Sequence, residues 1–231
     1  MPLLILLLTI AFAASTLWVP DFGGFEPNRF PIPQNDPAVQ PAGYAFAIWG
    51  VIYLWLLVSA GYGLFQRRNA PDWADMRPAL AVSLAVGAIW LPAAVLSPVL
   101  ATVLIWAMLI PALIALFRAP VSDATWASLP IGLYAGWLSA ASCVAIGLLL
   151  AGYGVLGDVP TAILMIAIAS VLACVIQTRL NRAPTYGIAV IWAFVGIMFA
   201  APPIVGIVAF IGMAAVALAT LRAAVAMGRQ A

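Results

Sequence analysis

The sequence lacks lysine and histidine altogether, and it contains few charged residues of any kind. Nine arginines and seven acidic residues make up 7% of the 231 residues, whereas about 25% of a soluble domain is charged. With 66% hydrophobic residues, a soluble fold would have no polar surface to cover its core. The composition excludes a soluble globular domain, a disordered chain and a protein that binds nucleic acid through a basic surface. It predicts an integral membrane protein.

The missing histidines also limit the chemistry. Without them the chain lacks the commonest metal ligand and the commonest general base. No aspartate, glutamate, lysine, arginine or histidine lies deep in a long apolar run, so the buried charges that mark ion and proton pathways are missing. We therefore predict no metal site, no cofactor and no hydrolytic activity. Cys143 and Cys174 lie within apolar runs and are predicted to be free, buried thiols.

Eight apolar segments are candidate membrane-spanning helices, which need about 20 residues each. They are 2–19, 44–66, 78–96, 98–117, 130–152, 159–178, 184–201 and 203–222. A continuous helix over 78–117 or 184–222 would be about 60 Å long, twice the hydrocarbon thickness. Prolines are therefore predicted to turn the chain at Leu91-Pro92 with Ser97-Pro98 and at Ala201-Pro202-Pro203. The predicted fold class is an all-α, polytopic membrane bundle of about eight helices.

The first segment has no basic start, so we interpret it as a retained helix rather than a signal peptide, although Ala11-Phe12-Ala13 offers small residues at a cleavage-like spacing. With eight spans, eight of the nine arginines fall on the side of the two termini, and only Arg29 falls on the other. Because cytoplasmic loops are enriched in arginine and lysine, both termini are predicted to be cytoplasmic, in a bacterial inner membrane, with loop 20–43 outside.

Loop 20–43 contains six prolines and three acids, Asp21, Glu26 and Asp36. Such a segment is predicted to run extended with polyproline-like stiffness. Two interpretations stay open for it, because a long connection can be a simple connector or a lid over the outer end of the bundle.

Tryptophan is enriched, with nine residues. Five of them lie within predicted spans rather than at the ends, where an interfacial aromatic belt would place them: Trp49, Trp90, Trp106, Trp137 and Trp192. A buried indole needs a partner for its N–H or a ligand face to stack on. These residues are candidates for a pocket lining.

The fifth segment has two distinct faces. Gly132, Gly136 and Ser139 share one face, which is predicted to let another helix approach closely. Tyr134 and Trp137 lie on the opposite face, together with Ala141. From the spacing alone, this second face lines a cavity or faces lipid, and both interpretations stay open.

Three motifs resemble the TspO/MBR family of tryptophan-rich sensory proteins and translocator proteins. The stretch from Pro41 to Tyr53, with Trp49 eight residues after the proline, is similar to the second-helix signature of that family. Trp90-Leu-Pro resembles its third-helix Trp-x-Pro, and Pro130-Ile-Gly-Leu-Tyr-Ala-Gly-Trp resembles its fifth-helix motif. The resemblance covers roughly 1–152, which is predicted to be a five-helix core, and 153–231 is predicted to add a three-helix membrane segment.

Some family positions differ in this chain. The first loop has neither the Trp-Tyr pair nor the Lys-Pro that the family usually carries there. Gly87 and Ala145 stand where the family has asparagine.

The resemblance implies a five-helix pocket, closed by the first loop, that binds porphyrins, sterols and synthetic aromatic drugs. It also implies that Trp49 and Trp137 match the tryptophans implicated in light-dependent porphyrin breakdown. We therefore predict a receptor or transporter-like protein of the lipid bilayer that binds an apolar aromatic ligand, tetrapyrrole or sterol-like, and no nucleic acid. The predicted ligand-binding residues are Trp49, Tyr53, Trp90, Tyr134, Trp137 and Ala141.

An alternative from a different class is a non-catalytic structural or assembly protein whose tryptophans and glycines only pack helices. Enzymatic activity is not expected apart from the photochemistry that the resemblance implies. Homodimer formation is left open.

Overall fold

The apolar segments form α-helices in a computed structural model, which describes residues 1–19 and 23–229. Within this part of the chain there are nine α-helices and no strand. They are α1 (Pro2–Ala14), α2 (Ile48–Phe65), α3 (Pro71–Ala74), α4 (Arg77–Leu96), α5 (Pro98–Arg118), α6 (Ser128–Gly152), α7 (Asp158–Leu180), α8 (Thr185–Ala200) and α9 (Pro203–Gly228). The all-α, polytopic membrane bundle predicted from the sequence is confirmed.

Six helical stretches in the described residues are long and apolar enough to cross a membrane. They are Gly43–Phe65, Pro71–Leu96, Pro98–Arg118, Ser128–Gly152, Asp158–Leu180 and Pro203–Gly228. The first and seventh predicted spans form shorter apolar helices, Pro2–Leu17 and Thr185–Ala200. The 16 residues of α8 rise about 24 Å, less than a hydrocarbon core of about 30 Å. The part of the chain that the structure describes thus contains eight apolar helices, six of which have full spanning length.

The proline-containing breaks behave differently from one another. Pro92 lies inside α4, which continues to Leu96. The chain turns only at Ser97, whose hydroxyl accepts a hydrogen bond from the Leu100 N–H at 3.3 Å and caps α5. The second break turns as predicted, because α8 ends at Ala200 and α9 begins at Pro203.

Helix α6 is the most buried of the spanning helices and packs against α2, α5, α7 and α8. Its small-residue face meets α8. A Cβ atom at Gly136 would overlap the carbonyl group of Tyr186, and one at Gly132 would lie 2.6 Å from Thr185 Oγ1. The Tyr186 hydroxyl donates to Ser139 Oγ at 2.9 Å. Helices α6 and α8 therefore touch at backbone distance. Helices α7 and α8 pack directly on α6, and α9 packs on α7 and α8. The division of the chain at residue 152 stays a prediction.

Two arginines cap helix ends at one end of the bundle. The buried Arg77 side chain donates to the carbonyl oxygens of Gly63, Arg67 and Arg68 at 3.4, 2.6 and 3.2 Å, where α2 ends. Arg182, between α7 and α8, donates to the carbonyl oxygens of Leu116 and Phe117 at the end of α5. The last carbonyls of a helix have no partner within it and attract positive charge. These arginines therefore tie loops to helix ends.

A second contact at the same end is the Asp123 clasp, which consists of Asp123, Arg67, Trp73 and Tyr62. The Asp123 carboxylate accepts hydrogen bonds from Arg67 at 2.7 and 3.1 Å and from Trp73 Nε1 at 2.9 Å. The Arg67 guanidinium lies 5.3 Å from the centre of the Tyr62 ring. The hydrogen bond from Arg67 is the main reason why the pKa of Asp123 is lower than its ordinary value. The clasp fastens the α5–α6 loop to the end of α2.

Candidate functional site

An aromatic cluster fills the space between α1, α2 and α6. Trp49 and Tyr53 of α2 are stacked, with ring centres 5.3 Å apart. Phe12 of α1 meets both rings edge-on, at 5.8 Å from Trp49 and 5.0 Å from Tyr53. Trp137 of α6 is edge-on to Trp49 at 6.2 Å and to Phe46 at 5.9 Å. Such edge-to-face arrangements are the favoured geometry of aromatic pairs, so the cluster has a defined arrangement.

Two adjoining cavities border this cluster. The central cavity, of about 60 Å³, lies against α6 and is lined by Phe46, Trp90, Trp137 and Ala141, among others. The side cavity, of about 130 Å³, is lined by Trp49 and Tyr53 and by Thr16 and Val19 near the end of α1. Phe46 and Trp90 line both cavities. These two rings therefore form the partition between them.

One wall of the central cavity comes from the segment between α1 and α2. We call residues 23–42 the lid; its residues Gly24, Phe25, Gln40 and Pro41 line the cavity. The described part of the predicted loop is not uniformly extended, because it contains a 3₁₀ turn at Pro27–Arg29 and a residue with positive φ, Asp36. Pro20 and Asp21, which the prediction included, lie outside the described residues.

Backbone hydrogen bonds attach the lid to the bundle at two points. The Ile32 N–H donates to the carbonyl of Gly152 at the end of α6 at 2.9 Å. The Ala42 N–H donates to the carbonyl of Gly196 in α8 at 3.1 Å. Helix α8 also contacts the residues after the lid, since Trp192 Nε1 donates to the Ala45 carbonyl at 2.8 Å. The lid is therefore held partly by helices beyond residue 152.

Five of the six predicted ligand-binding residues border the two cavities, and Tyr134 does not. Tyr134 is fully buried, and its hydroxyl lies 2.8 Å from Ser83 Oγ. Since Ser83 donates its own proton to the Met108 carbonyl, the tyrosine is the donor in this pair. Its ring is 5.7 Å from that of Phe12. In this structure Tyr134 links α4, α5 and α6 behind the aromatic cluster.

Sequence analysis missed three aromatic residues of the site, Phe12 and Phe46 of the cluster and Phe25 of the lid. Phe12 is one apolar residue among many in the first segment, and nothing in its neighbourhood distinguishes it. It packs against Gly87 of α4, where a Cβ atom would lie 2.9 Å from the Phe12 ring. Phe46 stands three residues before Trp49, within the motif that was recognised, so its position there was the available signal.

The cavities offer ring faces and few polar groups. Trp90 Nε1 donates to the Ala101 carbonyl at 3.0 Å. The indole N–H groups of Trp49 and Trp137 have no acceptor among the described residues. Gln40 is the one polar side chain among the described residues that line the central cavity. Within 1–19 and 23–229 there is no group of three potential metal ligands. The site can therefore recognise a ligand by shape and by stacking on aromatic rings.

A family model described as TSPO-like protein matches residues 4–222. The chain belongs to the TSPO-like protein family. The resemblance to TspO/MBR proteins noted in the sequence is thereby confirmed. No curated protein and no solved structure matches the chain.

Two positions where this TSPO-like chain differs from the expected pattern lie at the site. Ala145 lines the central cavity in place of the asparagine that the resemblance implied. Gly87 leaves the space that the Phe12 ring occupies. Both replacements remove a polar side chain, and they make the surroundings of the aromatic cluster more apolar.

Proposed function

We propose that this TSPO-like membrane protein binds a flat, apolar aromatic molecule of the tetrapyrrole class beneath the lid. The observation that carries the proposal is the convergence of Phe46, Trp49, Tyr53, Trp90 and Trp137 around two adjoining cavities. Tetrapyrrole faces stack well on indole and phenyl rings and need few charges for recognition. The cavities offer such faces and carry no charged side chain among their described lining residues.

Ligand entry requires rearrangement of the site. The central cavity, of about 60 Å³, is far smaller than the roughly 300–1,000 Å³ of typical small-molecule pockets. Movement of Phe46 would join the central and side cavities, because this ring lines both. Movement of the lid would open the central cavity from above. A tetrapyrrole would therefore fit only after such a movement.

Titration of the purified protein with protoporphyrin IX tests the proposal. Each favourable aromatic contact contributes about 0.5–1.5 kcal/mol, so Trp137→Phe and Trp49→Phe are each expected to raise Kd about threefold to tenfold. Trp126→Phe is the matched control, since this indole stacks on Tyr62 at the opposite end of the bundle. Kd follows from the porphyrin absorbance, which does not depend on the number of tryptophans. Equal Kd values for all three variants and the unaltered protein would exclude these rings from the site.

Two further measurements separate the remaining ligand and activity classes. A sterol that displaces bound protoporphyrin IX would widen the ligand class to sterol-like molecules. Porphyrin breakdown that occurs in light but neither in the dark nor in Trp137→Phe would add the photochemical activity. Without that breakdown the protein is a binding protein only.

A structural role is the second candidate, and one observation favours it. The rings of the cluster already pack on one another, and α6 meets α8 without a gap at Gly136. Under this alternative, no ligand shifts the melting temperature of the protein. A reproducible shift with protoporphyrin IX that Trp137→Phe diminishes would refute the alternative. Crosslinking in the membrane would show at the same time whether the protein forms a homodimer.

We also propose that the arginine-rich end of the bundle faces the cytoplasm, and both termini with it. Support comes from the eight-to-one distribution of arginines. Cysteines introduced at the exposed Asn35 and Ser122 positions, in a Cys143→Ala/Cys174→Ala background, test the orientation with a membrane-impermeant maleimide. Asn35→Cys should react in intact cells, and Ser122→Cys should react only after lysis. The opposite pattern would reverse the orientation.

A further inference from the structure

A third hydrogen-bonded contact attaches the lid to the bundle through a side chain, whereas the two contacts described above join backbone groups. The Ala38 N–H donates to both oxygens of the Asp158 carboxylate, at 3.1 and 3.2 Å. Asp158 is the first residue of α7, so its negative charge lies at the positive end of that helix. Of these three hydrogen bonds, only this one uses a side-chain acceptor, so one substitution can remove it without altering the backbone.

The position of this hydrogen bond relates it to the cavity. Gln40 and Pro41, which line the central cavity, follow Ala38 by two and three residues. On the other side, the lid is separated from the α6–α7 turn by an open groove of about 410 Å³, lined by residues between Ile32 and Pro37 and between Ala151 and Asp158. The lid bridges this groove, attached through Ile32 at one side and through Ala38 at the other.

Two apolar contacts keep the lid in place independently of Asp158. Phe30 packs on Gly152, where a Cβ atom would overlap its ring, and Val39 packs on Gly147. Both lid side chains are buried. Loss of the carboxylate would therefore leave the lid seated but would leave the buried Ala38 N–H without its acceptor. Because water can enter from the groove and replace the carboxylate, the effect should be on how often the lid opens rather than on whether the protein folds.

We propose that Asp158 is a latch that holds the lid closed over the central cavity and sets the rate at which ligand enters and leaves. The proposal rests on the function proposed above for the ligand, whereas the latch itself does not depend on a ligand. Asp158 acts through the lid backbone and is a positioning residue. It also gives the helices beyond residue 152 a part in controlling the site.

Hydrogen exchange of the ligand-free protein tests the latch. Asp158→Ala is expected to speed the exchange of the Ala38 amide about threefold to tenfold, since hydrogen bonds to charged groups are the stronger ones but this carboxylate is exposed. Asp158→Asn keeps one acceptor oxygen and should have a smaller effect. Asp36→Asn makes the same charge change on the lid itself, at a positive-φ position that asparagine tolerates, and should leave the exchange unchanged. Unchanged exchange in Asp158→Ala would overturn the latch.

Stopped-flow mixing with protoporphyrin IX tests the control of access. Asp158→Ala should raise the association and dissociation rates by the same factor, about threefold to tenfold, with little change in Kd. Faster exchange of Ala38 together with unaltered ligand rates would overturn the control of access and keep the latch as a purely structural contact. If protoporphyrin IX does not bind even to the unaltered protein, the proposed function fails, and the exchange measurement still decides whether Asp158 holds the lid.

Discussion

The contact between α6 and α8 gives a stability prediction that separates close packing from helix propensity. A Cβ atom at Gly136 would overlap the Tyr186 carbonyl group and lie 3.0 Å from Ala189 Cβ. Neither obstacle is a flexible side-chain end, so α8 must shift as a whole. Overpacking of this kind costs about 1–3 kcal/mol. Gly136→Ala should therefore destabilise the protein even though alanine is the better helix former by up to about 1 kcal/mol.

The chain offers an internal series for this comparison. A Cβ atom at Gly61 of α2 would meet nothing within 4 Å, so Gly61→Ala should be neutral or stabilising by up to about 1 kcal/mol. At Gly132 the nearest atom is Thr185 Oγ1. This hydroxyl can rotate, but it would lose its hydrogen bond to the Leu129 carbonyl. The stability of Gly132→Ala should therefore lie between those of Gly136→Ala and Gly61→Ala.

Thermal unfolding in one detergent measures the series. For a chain of this size, a change of 1 kcal/mol in the free energy of unfolding shifts the melting temperature by about 2–4 °C. Gly136→Ala should therefore melt about 5–10 °C below Gly61→Ala, with Gly132→Ala in between. Equal melting temperatures for Gly136→Ala and Gly61→Ala would refute the backbone contact between α6 and α8.

Three further predictions concern the Asp123 clasp and the aromatic cluster. Asp123→Ala leaves the buried Trp73 N–H without an acceptor and should lower the free energy of unfolding by about 1–3 kcal/mol. Asp123→Asn keeps an acceptor oxygen and should lower it less. Equal losses of stability for the two variants in chemical denaturation would contradict the role of the Trp73 hydrogen bond. Because the pKa of Asp123 is lowered in the folded protein, the carboxylate should stabilise the fold fully above its ordinary pKa of 3.8. This stabilisation should be lost as the pH falls toward the lowered folded pKa. If the melting temperature of Asp123→Asn falls equally with acidic pH, other groups cause the dependence. Phe12→Ala should lower the free energy of unfolding by about 3–5 kcal/mol, as expected for a buried aromatic side chain. Phe12→Leu should lower it clearly less. Phe12→Ala should also reduce the near-ultraviolet circular dichroism to which the packed Trp49 ring contributes.

The helices and their grouping could largely be predicted from the sequence. Apolar runs and arginine positions were sufficient because lipid requires every spanning backbone to satisfy its own hydrogen bonds. The contacts of Arg182 with the end of α5 and of Arg67 with Asp123 join the loops that the arginine count had placed on one side. The length of α8 could not be predicted, since it depends on where Pro184 and Pro202 permit a helix to begin and end.

The site could be predicted only in part. Trp49, Trp90 and Trp137 were identified because they belong to motifs and lie within apolar segments rather than at their ends. Phe12 could not be identified, because its role depends on the space left by Gly87 in another helix. Asp158 could not be identified either, because its contact with Ala38 spans 120 positions of the chain. Local patterns carry no information about such a pairing.

Every basic side chain of this protein is an arginine, and at three positions the structure shows why a guanidinium group is suited to its place. Arg77 reaches three carbonyl groups, Arg182 reaches two, and Arg67 binds a carboxylate through two nitrogens. A planar guanidinium can bridge several acceptors in fixed directions, whereas an ammonium group is a compact, strongly hydrated point charge. Replacing Arg77 or Arg182 by lysine would preserve the positive charge while releasing carbonyl groups at a helix end. One such substitution would therefore separate the contribution of the positive charge from that of the guanidinium hydrogen bonds.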